Sequence, residues 1–124
     1  MYKPENGYTQ GMNYIAANMY YNLRCEVTSF TIMVHILNKD DLFNDFYLCK
    51  LEVWFEVFQS LMKDKMPELD QKFEKYNLTP NLFLFEWIIT LHSKNFSLEI
   101  SGRLWDNIFY HGEYYIFKIA LAIC

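Results

Sequence analysis

The chain of 124 residues is long enough for one compact domain and too short for two. Its residues are 52% hydrophobic, 19% aromatic and 21% charged, which excludes intrinsic disorder and supplies ample material for a core. The 11 basic and 15 acidic side chains leave a formal charge of -4 with no basic run, which excludes nucleic acid and an anionic lipid surface as expected partners.

Cys25, Cys49 and Cys124 are odd in number and widely spaced, as expected of reduced intracellular thiols rather than a disulfide framework. Glu5, Asn6 and Gln10 stand where a signal peptide would be apolar. Every apolar run falls short of the roughly 20 residues a membrane span needs. The expectation is a soluble, cytoplasmic chain without a membrane span. The sequence carries no signal for oligomeric state.

Taken in chain order, the periodicity is helical nearly throughout. Met12, Ile15, Ala16, Met19, Tyr20 and Leu23 form one stripe of a helix, with Asn13 and Asn18 outside it. A second apolar run, Phe30 to Leu37, ends in a loop of Asn38, Lys39, Asp40 and Asp41. Next, Leu51, Trp54, Phe55, Phe58, Leu61 and Met62 make a core face opposite Glu52, Glu56, Gln59 and Lys63. Pro67 restarts the chain as the first-turn residue of a short amphipathic helix through Phe73 and Tyr76.

Thr79 and Pro80 read as an N-cap followed by a first helical proline. The helix from Leu82 to Leu91 is apolar almost all round, with Glu86, Thr90 and Ser93 as a thin polar stripe, so it is expected to run through the middle of a bundle. Ser97 caps the next helix, whose expected buried face is Ile100, Leu104, Trp105, Ile108 and Phe109. On that helix Glu99 and Arg103 are four apart, a pair worth roughly 0.3–0.5 kcal/mol. Gly112 ends it, and a last helix beginning at Glu113 is still apolar at Ile123. Period-two alternation is absent. The expected fold is all-α, a helical bundle of about six to eight short to medium helices.

Conventional catalytic patterns are weak. His35 and His92 lie in apolar surroundings and read as packed core residues, and His111 sits at a helix end. Glu52 and Glu56 are explained by a solvated face. No metal site is expected. One segment stands out: Gly7 and Gly11 bracket Tyr8, Thr9 and Gln10 at the mouth of a helix, where glycines permit close backbone approach and the dipole favours anions.

The segment Gly7-Tyr8-Thr9-Gln10-Gly11-Met12-Asn13-Tyr14-Ile15-Ala16-Ala17 closely resembles the YxQGMNxIAA signature of the TBC domain, a family of GTPase-activating proteins for Rab GTPases. A second match follows in the right order: Leu84 to Leu91 (LFEWIITL), Ser97-Leu98, Arg103-Leu104-Trp105-Asp106, Gly112, Phe117 and Ala120-Leu121-Ala122. Together the two motifs reach across nearly the whole chain.

The resemblance implies a TBC-domain-like fold and a GTP-bound Rab GTPase as partner. The protein would complete the partner's active site rather than act as an enzyme itself, and recruitment to endomembranes would run through that Rab. GTP and Mg belong to the partner, so no cofactor is implied. Gln10 is the implied catalytic residue, a glutamine finger, with Tyr8, Gly11 and Asn13 fixing the loop or binding the GTPase. Arg103, Trp105 and Asp106 belong to a motif that looks structural, Asp106 being available for an ion pair or a cap.

The family's catalytic arginine lies in an IxxDxxR motif N-terminal to YxQ, yet residues 1–9 contain no arginine. The chain ends at Cys124 without a helix stop signal. The expectation is a partial TBC domain over 1–124 lacking the N-terminal helices that carry the arginine finger, and inactive on its own. The alternative is a non-catalytic Rab-binding or adaptor module.

Overall fold

A computed structural model describes residue 8, residues 10–38 and residues 51–124. Within it lie seven α-helices and no strand, as the periodicity predicts. They are α1 (Met12–Leu23), α2 (Glu26–Asn38), α3 (Leu51–Lys65), α4 (Pro67–Lys75), α5 (Asn81–Ile89), α6 (Leu98–His111) and α7 (Tyr115–Ile123). The expected loop at Lys39, Asp40 and Asp41, and Cys49, lie outside the described residues. Cys25 and Cys124 are free thiols. No described helix is long and apolar enough to cross a membrane.

The helices pack as a series of neighbours. Helix α1 lies against α2 and α6, α6 against α7, α7 against α5, α5 against α3, and α3 against α4. One continuous core joins them, with Ile15 and Met19 at one end and Phe58 and Met62 at the other. Aromatic rings carry the second half: Trp54 and Phe58 of α3 meet Phe117 of α7 at 5.1 and 6.3 Å, and Phe58 meets Phe83 of α5 edge-on at 6.1 Å.

The breaks between helices follow from local chemistry. Pro67 has no N–H with which to extend α3, so Met66 serves both helices. Its N–H donates to the Met62 carbonyl, and its own carbonyl accepts from Leu69 and Asp70. Ser97 caps α6 as expected, accepting from the Ile100 N–H. Gly112 ends α6 with φ +93.

Several expectations fail where neighbouring helices decide the exposed face. Asn18, assigned outside the α1 stripe, is fully buried, while Tyr20 and Leu23 are exposed. The face that α1 turns to α2 and α6 is Ile15, Asn18 and Met19, at i, i+3 and i+4. On α6, Ile100 and Phe109 are exposed and Ser101 takes their place in the core. Small residues there let α1 come close: a Cβ on Gly102 would sit 3.1 Å from Asn22 Oδ1.

His35 is exposed rather than packed. Gln59 leaves the polar face of α3 and donates to the buried Asp70 carboxylate of α4. Helix α5 is not surrounded, since Leu82 is 71% exposed and Phe85 43%. Nor does Thr79 cap it: Pro80 occupies the N-cap, and no side chain bonds the first turn. This helix stops at Ile89, two residues short of Leu91, where the backbone turns left-handed.

Candidate functional site

Gln10 occupies the turn that opens α1 and is exposed. Its position follows from Gly11, which is the N-cap of α1 at φ +104, a conformation that side-chain-bearing residues rarely adopt. The Gly11 carbonyl accepts from the Tyr14 N–H at 3.0 Å and starts the helix. Gly11 is itself buried, and a Cβ there would lie 3.3 Å from Thr90 Cγ2 and 3.4 Å from Ile89 Cδ1. The close approach that this glycine permits is therefore internal, onto the end of α5. With Gly11 seated inward, Gln10 is left facing solvent.

Tyr8 and Asn13 bracket Gln10. The Tyr8 hydroxyl donates to Asn13 Oδ1 at 3.0 Å, tying the incoming segment to the first turn of α1. Both side chains are exposed, Tyr8 by 67%. Gly7 and Thr9 lie outside the described residues. Among the described residues, no acidic side chain occupies the first turn of α1 and no side chain caps it, and the N-terminal end of that helix lies beside Gln10.

The platform under Gly11 is tightly bonded. Thr90 is buried, its hydroxyl donates to the Glu86 carbonyl at 2.8 Å, and its carbonyl accepts from the Ser93 hydroxyl. Thr90 and Ser93 are thus internal rather than part of a solvated stripe. Lys94 pairs with the Glu86 carboxylate, whose hydrogen bond holds the ammonium above its usual range, and Tyr14 contributes to the same field. The left-handed turn that follows α5 carried no signal in the sequence. Leu91 and His92 take φ of 48 and 61 although neither is glycine or asparagine.

The three residues of the downstream motif take different surroundings. Trp105 is buried, and its indole N–H donates to the Leu91 carbonyl at 2.8 Å, across 14 residues. Arg103 pairs with Glu99 at 3.1 Å, both side chains well exposed. Asp106 is exposed and makes neither an ion pair nor a cap among the described residues. Arg103 and Asp106 border a cleft of about 450 Å³ against the C-terminal half of α1. Asn22, on that wall, is roughly 18 Å along the helix axis from Gln10. No group of three or more His, Cys, Asp or Glu side chains is placed to hold a metal among the described residues.

The profile of the Rab-GTPase-TBC domain matches residues 1–124. The chain belongs to the Rab-GTPase-TBC domain family. It is similar to TBC1 domain family member 12 of Xenopus tropicalis and TBC1 domain family member 14 of Homo sapiens, each 36% identical over 98% of this chain. Drainin of Dictyostelium discoideum is 28% identical over the same share. The chain spans 18% of the length of the two TBC1 proteins and 28% of Drainin. No solved structure matches it significantly. In this TBC domain the signature loop and the downstream motif meet at the end of α5, one through Gly11 and the other through Trp105.

Proposed function

We propose that this TBC domain stimulates GTP hydrolysis by a GTP-bound Rab GTPase and that Gln10 is its glutamine finger. The observation that carries the reading is the exposed Gln10, held between the Tyr8–Asn13 hydrogen bond and an inward-seated Gly11, in a chain of this family. Hydrolysis needs a water aligned behind the γ-phosphate and donors on the charge that develops in the transition state. An amide serves both ends: its carbonyl accepts from the water and its NH₂ donates to a phosphoryl oxygen. The N-terminal end of α1, beside Gln10, favours approach of that anionic centre.

The arginine that would complete the site comes from helices preceding the YxQ motif in the full-length protein. GTP and Mg²⁺ remain ligands of the GTPase, and recruitment to endomembranes follows from the Rab. Arg103 is not that arginine, because it stands with Glu99 beside the far half of α1.

The test is single-turnover hydrolysis by a panel of GTP-loaded Rabs with the full-length protein. At least one Rab should accelerate by roughly 10³-fold or more, since an arginine finger alone supplies that much. Gln10→Ala should then lower the maximal rate and leave Rab affinity nearly unchanged, because Gln10 acts chiefly in the transition state. A panel with no acceleration points instead to a Rab-binding adaptor. Loss of affinity without loss of maximal rate would give Gln10 a binding role.

A further inference from the structure

Two consecutive residues of ordinary type, Leu91 and His92, adopt the left-handed conformation in a turn that is fully buried. Such geometry persists only where the surroundings over-determine it. Within the turn, the Leu91 N–H bonds to the Ile88 carbonyl and the His92 N–H to the Trp87 carbonyl. From α6 comes the indole N–H of Trp105, donating to the Leu91 carbonyl at 2.8 Å. The residue immediately before this turn is Thr90, whose methyl group would lie 3.3 Å from a Cβ on Gly11, closer than ordinary van der Waals contact. A shift of the turn therefore moves the surface against which Gly11, and with it Gln10, is seated.

We propose that Trp105 is a positioning residue for Gln10, acting through its hydrogen bond to the left-handed turn that directly follows Ile89 and Thr90, the residues Gly11 faces. The proposal rests on the glutamine-finger reading above. Trp105 touches neither the GTPase nor its nucleotide. It fixes the height and direction of the Gln10 loop, so its effect belongs to the transition state and not to Rab affinity.

Trp105→Phe in the full-length protein keeps an aromatic ring in the core and removes the donor. With the most responsive GTP-loaded Rab, its kcat should fall roughly ten- to a hundredfold, the scale expected for a loop displaced by about 1 Å. KM for the Rab should stay within about twofold. In a Gln10→Ala background the same change should cost nothing further, since residues acting through one group are not additive. An unchanged kcat in a folded Trp105→Phe protein overturns the proposal, as does an equal further loss in the Gln10→Ala background.

Should Trp105→Phe fail to fold, Thr90→Ser replaces it, keeping the hydroxyl bond to Glu86 and deleting the methyl that faces Gly11. The same kcat-selective loss is then expected, and its absence counts against the proposal. If Gln10→Ala alone leaves hydrolysis untouched, the glutamine-finger reading has failed, and amide exchange decides the positioning claim. Faster exchange confined to residues 11–15 and 90–93, with α3 unchanged, sustains it. Exchange that rises everywhere or nowhere overturns it.

Discussion

His92 combines full burial with ring nitrogens that have no hydrogen-bond partner among the described residues. Trp87 at 5.7 Å and Phe96 at 6.5 Å flank the ring. Desolvation pushes its pKa down from 6.5 to about 4; the nearby Ile116 backbone opposes this only in part, without reaching hydrogen-bond geometry. The folded-state value lies below the unfolded one, so the unfolded chain binds the extra proton first. Stability present above about pH 6.5 is therefore lost as the pH falls towards 4. The cost between pH 7.5 and pH 4 is about 3 kcal/mol. Denaturant unfolding should show His92→Leu losing about that much less over this range than the unaltered protein. Parallel losses in both would mean that His92 is not the proton acceptor. The sequence placed this histidine correctly in the core, yet the same reasoning misplaced His35. Apolar neighbours along the chain show that a helix has a buried face, and only the packing partner shows which residue lies on it.

At the scale of single helices, caps and turns decided more than propensity. Ser97 and Thr79 look alike in the sequence, a hydroxyl just before an apolar run, and only Ser97 bonds its helix. Ser97→Ala should cost about 1 kcal/mol of stability. Thr79→Ala should stay within about 0.5 kcal/mol, as for a surface change that breaks no cap. Comparable losses from both in thermal melts would overturn this contrast. The reason is geometric: with Pro80 at the N-cap, the Leu84 N–H is satisfied by the Pro80 carbonyl and the Leu82 N–H by that of Thr79. The end of α5 shows the same limit. Its periodicity runs on to Leu91, and the helix stops at Ile89 because hydrogen bonds from Thr90, Ser93 and Trp105 close the turn.

Across the whole molecule the core is held by aromatic contacts between helices distant in the chain. Phe58 has no exposed surface and joins α3 to α5 through Phe83 and to α7 through Phe117. Phe58→Ala should cost about 3–5 kcal/mol, a large share of the 5–15 kcal/mol that holds a typical domain folded. Chemical denaturation measures it directly, and a loss under about 1 kcal/mol would show that the three helices are held by other contacts. The two signature motifs likewise come together only in the folded molecule, where both reach the end of α5.

What the sequence by itself determined is the helical class, the apolar face of α3, the Ser97 cap and the two motifs that mark a TBC domain, with Gln10 in the first. Each of these depends on residue types and their spacing along the chain, which are written in the sequence. Only the tertiary structure decided that Asn18 and Ser101 are buried, that Ile100 and Phe109 are not, and that Gly11 seats inward on Thr90 so that Gln10 faces out. Those outcomes depend on which helix approaches which, and at what height. Small residues at a crossing and a left-handed turn held from another helix set both.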